Sequence, residues 1–389
     1  MATESIPSSL STDLRAALVI GLAAALTHAV CGGVGLSGSS LAYGSLIAAL
    51  VVRPDFSRLP LAIYPVLLVL VGLCLAIGVS LGLALSNVPQ VFVFGLVAAL
   101  MQLITLTLPS KLRLLSGTVA SAGVLPLLGT PSWESWRDEL LAIALGLVIG
   151  TLVQLVFTPD QLRNAEATPA SSAETREASP AEPPLKSRIA AGLRSPFFWR
   201  KLVFASLALP IGEGIGALTP KYLYFGVVLL LNDSIGATLA RVRDRMAGVS
   251  LGVLMPLLVF NTLGISDVSI GLVMAGTTML VAALNRRSYL QTALISSGVA
   301  FIGYGPLVAW YIPNRWIDYL MGCGLALAVG LFLFPQSALR RFNQLSGAID
   351  WVDHRRELEA LLPAATEEAR WLGLPNPQLP SAPLPTAPQ

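Results

Sequence analysis

The chain has 389 residues, 54% of them hydrophobic and only 12% charged, with a mean hydropathy of +0.71. A soluble domain is about a quarter charged, and a net charge of +3 is too small and too scattered for a nucleic-acid footprint. These figures exclude an ordinary soluble enzyme, a disordered chain and a nucleic-acid binder. They point to an all-α, polytopic helical membrane protein. A β-barrel is disfavoured because the apolar stretches are continuous and rich in Leu, Ala and Gly instead of alternating.

Residues 1–13 are polar and carry no secretory signal pattern. Apolar runs then follow at 14–36, 39–52, 61–85, 89–108, 112–129 and 138–158. Residues 159–201, rich in Ala, Glu, Ser and Pro, read as a flexible linker. Runs resume at 202–218, 221–232, 244–262, 267–284, 289–310 and 315–335. The expectation is about 12 transmembrane helices, six within 1–158 and six within 202–335. A charged tail fills 336–389. Its segment 338–372 has helical periodicity suited to a membrane surface or another subunit, and from Pro375 the composition reads as disordered.

Twelve spans place both termini on one side, and basic residues fix which side. With the N-terminus in the cytoplasm, all 25 Lys and Arg except Arg137, Lys221 and Arg315 fall inside. The expectation is N-in, C-in, in a bacterial cytoplasmic membrane.

No Walker loop, dinucleotide fingerprint or nucleophile elbow is present. Cys31, Cys74 and Cys323 lie in or beside apolar runs, and His28 and His354 are too few for a zinc site. No enzyme activity, cofactor or metal is expected.

The two halves repeat each other at offsets of 176 to 185 residues. Tyr43-Gly44 corresponds to Phe225-Gly226, and Ser116-Gly117 to Ser297-Gly298. Gly123, Pro126 and Leu127 recur as Gly303, Pro306 and Leu307, and Arg137 recurs as Arg315. Each half has an even number of spans, so the halves share one orientation, with a pseudo-twofold axis along the membrane normal. A path between such halves is a transporter or channel architecture.

Runs two and eight are too short to cross as ordinary helices, and short segments at matching places point to a central site. Gly35 to Ser40 precede the first, and Asn232, Asp233 and Ser234 follow the second. Broken helices expose N–H groups that favour anions. The substrate-facing candidates here are Tyr43, Ser45, Tyr224, Asn232 and Asp233. His28 and Glu213 occupy matching places near the outer ends of spans one and seven, as proton-coupling groups or as wet interface residues. Arg241 and Arg245, with Arg243 between them, lead into span nine as an anion-attracting vestibule or as topology anchors. Arg137 and Arg315, each beside a Trp and near Asp138 or Asp318, are substrate contacts or interfacial anchors.

The pattern Arg241-x-Arg243-x-Arg245-x-x-Gly248-x-x-x-Gly252 resembles the fusaric-acid-resistance, or aromatic acid exporter, family. So does the stretch Asn314-Arg315-Trp316-Ile317-Asp318 through Gly324, closed by Pro335. The likeness is best over 197–341; the first half follows its hydropathy but lacks the Arg-x-x-Gly core. The resemblance implies export of small aromatic or organic carboxylic acids across the cytoplasmic membrane. The linker is too short for the cytoplasmic domain of the larger exporters, which argues against a periplasmic adaptor.

The expectation is thus an organic-anion exporter working in the lipid bilayer, alone or as a homo-oligomer, with no nucleic acid partner. The alternatives are a passive anion channel, a major-facilitator-type transporter and a membrane scaffold. The loop Arg53 to Arg58 lacks the major-facilitator signature.

Overall fold

The computed structural model describes residues 10–55, 63–108, 122–128, 130–158, 184–217, 220, 223–224, 228, 234–299, 308–332, 337–348, 351–352 and 354–380. Every regular element among them is helical. In chain order they are α1 (Leu10–Gly33), α2 (Ser39–Val51), α3 (Ile63–Ala84), α4 (Gln90–Thr107) and α5 (Trp133–Phe157), with a single turn at Leu125–Leu128 before α5. Then come α6 (Leu185–Arg194), α7 (Pro196–Gly214), α8 (Ile235–Leu263), α9 (Asp267–Ala283), α10 (Leu290–Val299) and α11 (Val308–Phe332). Two helices close the chain, α12 (Ala338–Ser346) and α13 (Arg355–Trp371). Predicted runs 112–129 and 221–232 fall mostly outside the described residues.

By length and composition, five of the described helices can cross a membrane: α1, α3, α4, α5 and α8. α2 and α9 are apolar but shorter. The side chains are distributed as lipid demands. On α1, Leu14, Leu18, Leu22, Leu26 and Val30 form an exposed stripe, while Ala16, Ile20, Ala23, Ala24 and Thr27 are buried. On α5, Leu141, Val148, Leu152 and Val156 face out, while Ala142, Gly146 and Gly150 face in. Lipid tails are as apolar as leucine, so large side chains gain nothing by leaving them. Small ones let helix backbones approach.

Those small residues set the packing. α2 lies against α5 in parallel: Ala142 O would sit 3.0 Å from a Cβ on Gly44, and Ala48 O 2.8 Å from one on Gly150. α1 packs on α9, and α4 packs on α7. In the first seam Gly271 O would lie 2.6 Å from a Cβ on Gly21; in the second Leu202 O would lie 2.8 Å from one on Gly95. α8 is the hub of the later helices and touches α9, α10 and α11.

Several helices start at a serine that accepts a backbone N–H: Ser132 from Ser135, Ser234 from Ala237, Ser266 from Ser269 and Ser337 from Arg340. Each such cap is worth ~1 kcal/mol. α2 lacks one. It follows a reversal through Gly35 (φ 85°) and Gly38 (φ 60°), a left-handed backbone that glycine adopts without strain.

Two expectations change. The linker predicted over 159–201 is helical from Leu185 onward, in α6 and the first turn of α7. α6 is amphipathic and lies on α4, with Gly192 against Leu103, and that contact stabilises it. The tail does not lie on its own. α12 and α13 pair around Leu339, Phe342, Leu358, Ala365 and Ala369, and α13 docks on the start of α8. Leu379, beyond Pro375, packs on the same cluster, and 381–389 lie outside the described residues.

Candidate functional site

The start of α7 gathers basic groups. Ser195 accepts from Phe197 N and Pro196 opens the helix, so Phe197, Arg200 and Lys201 share its first turns. Arg200 and Lys201 are 4% and 3% exposed. The Lys201 ammonium donates to Gln102 Oε1 of α4 at 2.8 Å. Both cations stand over the Phe197 ring, 5.5 and 5.7 Å from its centroid. Arg241 of α8 is close enough to repel the Lys201 charge. Further along α8, Arg243 binds Asp244 and Glu367 of α13, and half-buried Arg245 lies near Cys323 of α11. Cations grouped at the end of a helix bundle attract anions from solution.

A cavity of about 510 Å³ opens at this same end, where α2 meets α10. Leu50, Arg53, Asp55, Arg287, Gln291 and Leu294 line it. Arg287 is held by Asp13 at the start of α1. Arg15 donates to Phe157 O at 2.6 Å, which brings the start of α1 to the end of α5. Deeper in, Leu46 of α2 meets α10 at Gly298, where a Cβ would lie 2.7 Å from Leu46 Cδ1. Below that contact, Ser297 Oγ reaches Gly252 O at 2.8 Å and Thr277 Oγ1 at 2.9 Å, joining α10 to α8 and α9. The cavity therefore has a polar mouth and an apolar seal.

At the opposite end, His28 Nδ1 lies 2.5 Å from Asp267 Oδ1, across the α1–α9 seam. Glu213 is exposed at the close of α7. Arg137 grips its neighbour Asp138 at 3.0 Å and is 73% exposed. The two predicted Trp anchors instead tie helices together: Trp136 Nε1 donates to Gly72 O and Trp316 Nε1 to Ser250 Oγ, both at 3.0 Å.

The predicted residues therefore do not form one cluster. Arg241 and Arg245 belong to the basic end, and His28, Glu213 and Arg137 to the other. Tyr43 is buried in a core cluster that also takes in Phe204, Leu223 and Val329; Ser45 is buried with its hydroxyl on Leu41 O. Tyr224 is fully buried, donates to Phe94 O at 2.8 Å and packs edge-on against the Phe94 ring. Asn232 and Asp233 lie outside the described residues, as does the side chain of Arg315. Sequence reading missed Gln102, Lys201 and the buried Glu139. Lys201 falls at the end of the expected linker, and Glu139 at the start of the apolar run 138–158.

Residues 204–329 match the family described as fusaric acid resistance protein-like. The match covers about a third of the chain, all in the second half, and bears out the resemblance seen in the Arg241 to Gly252 pattern. Together with the five helices long and apolar enough to cross a membrane, the match points to a multi-pass membrane protein. No curated protein and no solved structure matches the chain.

Proposed function

We propose that the protein exports small organic or aromatic carboxylates across the cytoplasmic membrane, along a path between two similar six-helix halves. The observation that carries this reading is the crossed packing of the halves. α1 meets α9 and α4 meets α7, so the first span of each unit lies on the fourth span of the other. Gly21 and Ser206 are 185 residues apart, and Gly95 and Gly271 are 176 apart. Gly95 faces Ser206 as Gly271 faces Gly21. Those offsets are the ones at which the halves correspond in sequence. A pseudo-twofold axis generates such reciprocal contacts.

The basic end is cytoplasmic in this reading, because Arg15, Arg53, Arg241, Arg243, Arg245 and Arg287 all belong to it. An anion is drawn to the Lys201 and Arg241 region, enters the cavity beside Arg53 and Gln291, and meets the Leu46–Gly298 seal. In this reading the cavity is the inward opening, and parting α2 from α10 opens the path. His28 couples protons at the outer face through its contact with Asp267.

The test is efflux of labelled phthalate or malate from liposomes holding the full chain. These dianions cross bare lipid poorly. Efflux above protein-free liposomes, quickened by a pH gradient, supports the coupled exporter. A voltage-driven current indifferent to the gradient supports a passive channel instead, and no flux of any such anion rejects both.

A further inference from the structure

Glu139 is buried in α5, 5% exposed, and its Oε2 has no hydrogen-bond partner among the described residues. It stands about 9 Å along the helix from Trp133, at a rise of ~1.5 Å per residue. It continues the buried stripe Ala142, Gly146, Gly150 on which α2 is laid. The parallel register of Gly44 on Ala142 places Glu139 level with Leu41, near the glycine reversal where α2 begins without a side-chain cap.

The basic groups around α5 are engaged elsewhere. α1, α2 and α3 pack on it. α1 brings Asp13, Arg15, His28 and Cys31; α2 brings Tyr43; α3 brings Tyr64 and Cys74. Asp13 holds Arg287, and Arg15 donates to Phe157 O, both at the far end of α5. His28 is held by Asp267. Cys31 and Cys74 are buried thiols, and neither Tyr43 nor Tyr64 is a cation. On α5 itself Glu134 is exposed and Arg137 is paired with Asp138.

A bare carboxylate in such a place is among the costliest groups a membrane protein can hold, whereas a carboxylic acid is tolerable. A purely structural carboxyl would have both oxygens satisfied. We infer that Glu139 is a proton-carrying group of the transport cycle. This inference rests on the transporter reading above. A proton from water on the His28 side forms the O–H bond on Oε2 when α2 and α5 separate there. That bond breaks to water on the basic side as the next anion enters there, so one proton enters per exported anion and no electrons move.

The decisive comparison uses the full chain in liposomes loaded with labelled phthalate. Glu139→Gln mimics the protonated acid, so it should retain phthalate–phthalate exchange while losing the acceleration that an acidic exterior gives the wild type. Acceleration equal to wild type in that variant overturns the inference and leaves the exporter standing. Wild-type liposomes that move no phthalate reject the exporter reading instead. A second measurement does not depend on flux. An apolar carbodiimide, which attacks protonated carboxyls, should modify Glu139 of the wild type, read by peptide mass, and more so as pH falls. Absence of modification at every pH also overturns the proton-carrying role.

Discussion

The imidazole of His28 and the carboxylate of Asp267 meet at 2.5 Å, and they belong to helices 239 residues apart in sequence. At the other end of the same seam, Arg287 holds Asp13. The α1–α9 seam is thus tied at both ends, with the Gly21–Gly271 crossing between. Asp267 is 53% exposed, so the outer tie is worth little as stability. A double-mutant cycle of His28→Ala and Asp267→Asn should give a coupling under about 1 kcal/mol in thermal unfolding, yet both single variants should alter the pH profile of efflux. An unchanged profile in both would remove His28 from the cycle.

The glycine crossings are the more sensitive points. A side chain on Gly21 or Gly95 runs into the backbone of the facing helix, which cannot yield as a side-chain tip can. Gly21→Leu and Gly95→Leu should each destabilise by about 3 kcal/mol or prevent assembly. Gly324 has nothing within 4 Å of a Cβ. Gly324→Ala should keep the wild-type melting temperature and elution profile. Equal losses at all three positions would mean that the seams are not where the helices meet.

Lys201 and Gln102 join α7 to α4 inside the basic end. Gln102→Leu strands a buried ammonium and should cost about 2 kcal/mol. Adding Lys201→Leu should restore part of that loss, because two apolar groups of matching shape pack without desolvation. The double variant should also slow phthalate efflux, since it removes a cation from the approach. Thermal melts separate the first effect and flux the second.

The tail hairpin sits on the Arg-rich start of α8. A Cβ on Gly236 would strike the backbone of Ala364, and Arg243 holds Glu367. Gly236→Val should undock α12 and α13 and make these two helices more open to protease, while Glu367→Gln should weaken docking only modestly. Equal cleavage of wild type and Gly236→Val would argue against the docked hairpin.

Much of this architecture was legible in the sequence for a physical reason. Apolar runs, charge asymmetry and glycine spacing are local or additive signals, so α1, α3, α4, α5 and α8 fell near their expected places. The break before α2 was visible in Gly35 and Gly38, which take the left-handed backbone that favours glycine. The docked tail and α6 were not visible, because their apolar faces are satisfied by α8 and α4, far away in sequence. The sites were less legible still. Tyr224 looked like a substrate contact and is a buried strut on Phe94, while Lys201 fell in the expected linker and Glu139 in an expected apolar run, and both are buried. Burial of a single polar residue depends on which helix covers it, and periodicity does not report that.

The central claim is that anions pass between the halves where α2 meets α10. Cysteines at Leu46 and Gly298 test it most directly, in a background with Cys31, Cys74 and Cys323 replaced. The Leu46 Cβ lies 3.0 Å from the place of a Cβ on Gly298, near the ~3.5 Å lower end of disulfide spacing. Oxidation should cross-link the pair and bring phthalate efflux to the protein-free background, and reduction should restore it. Efflux that continues unchanged through a fully cross-linked seal would contradict a path between the halves.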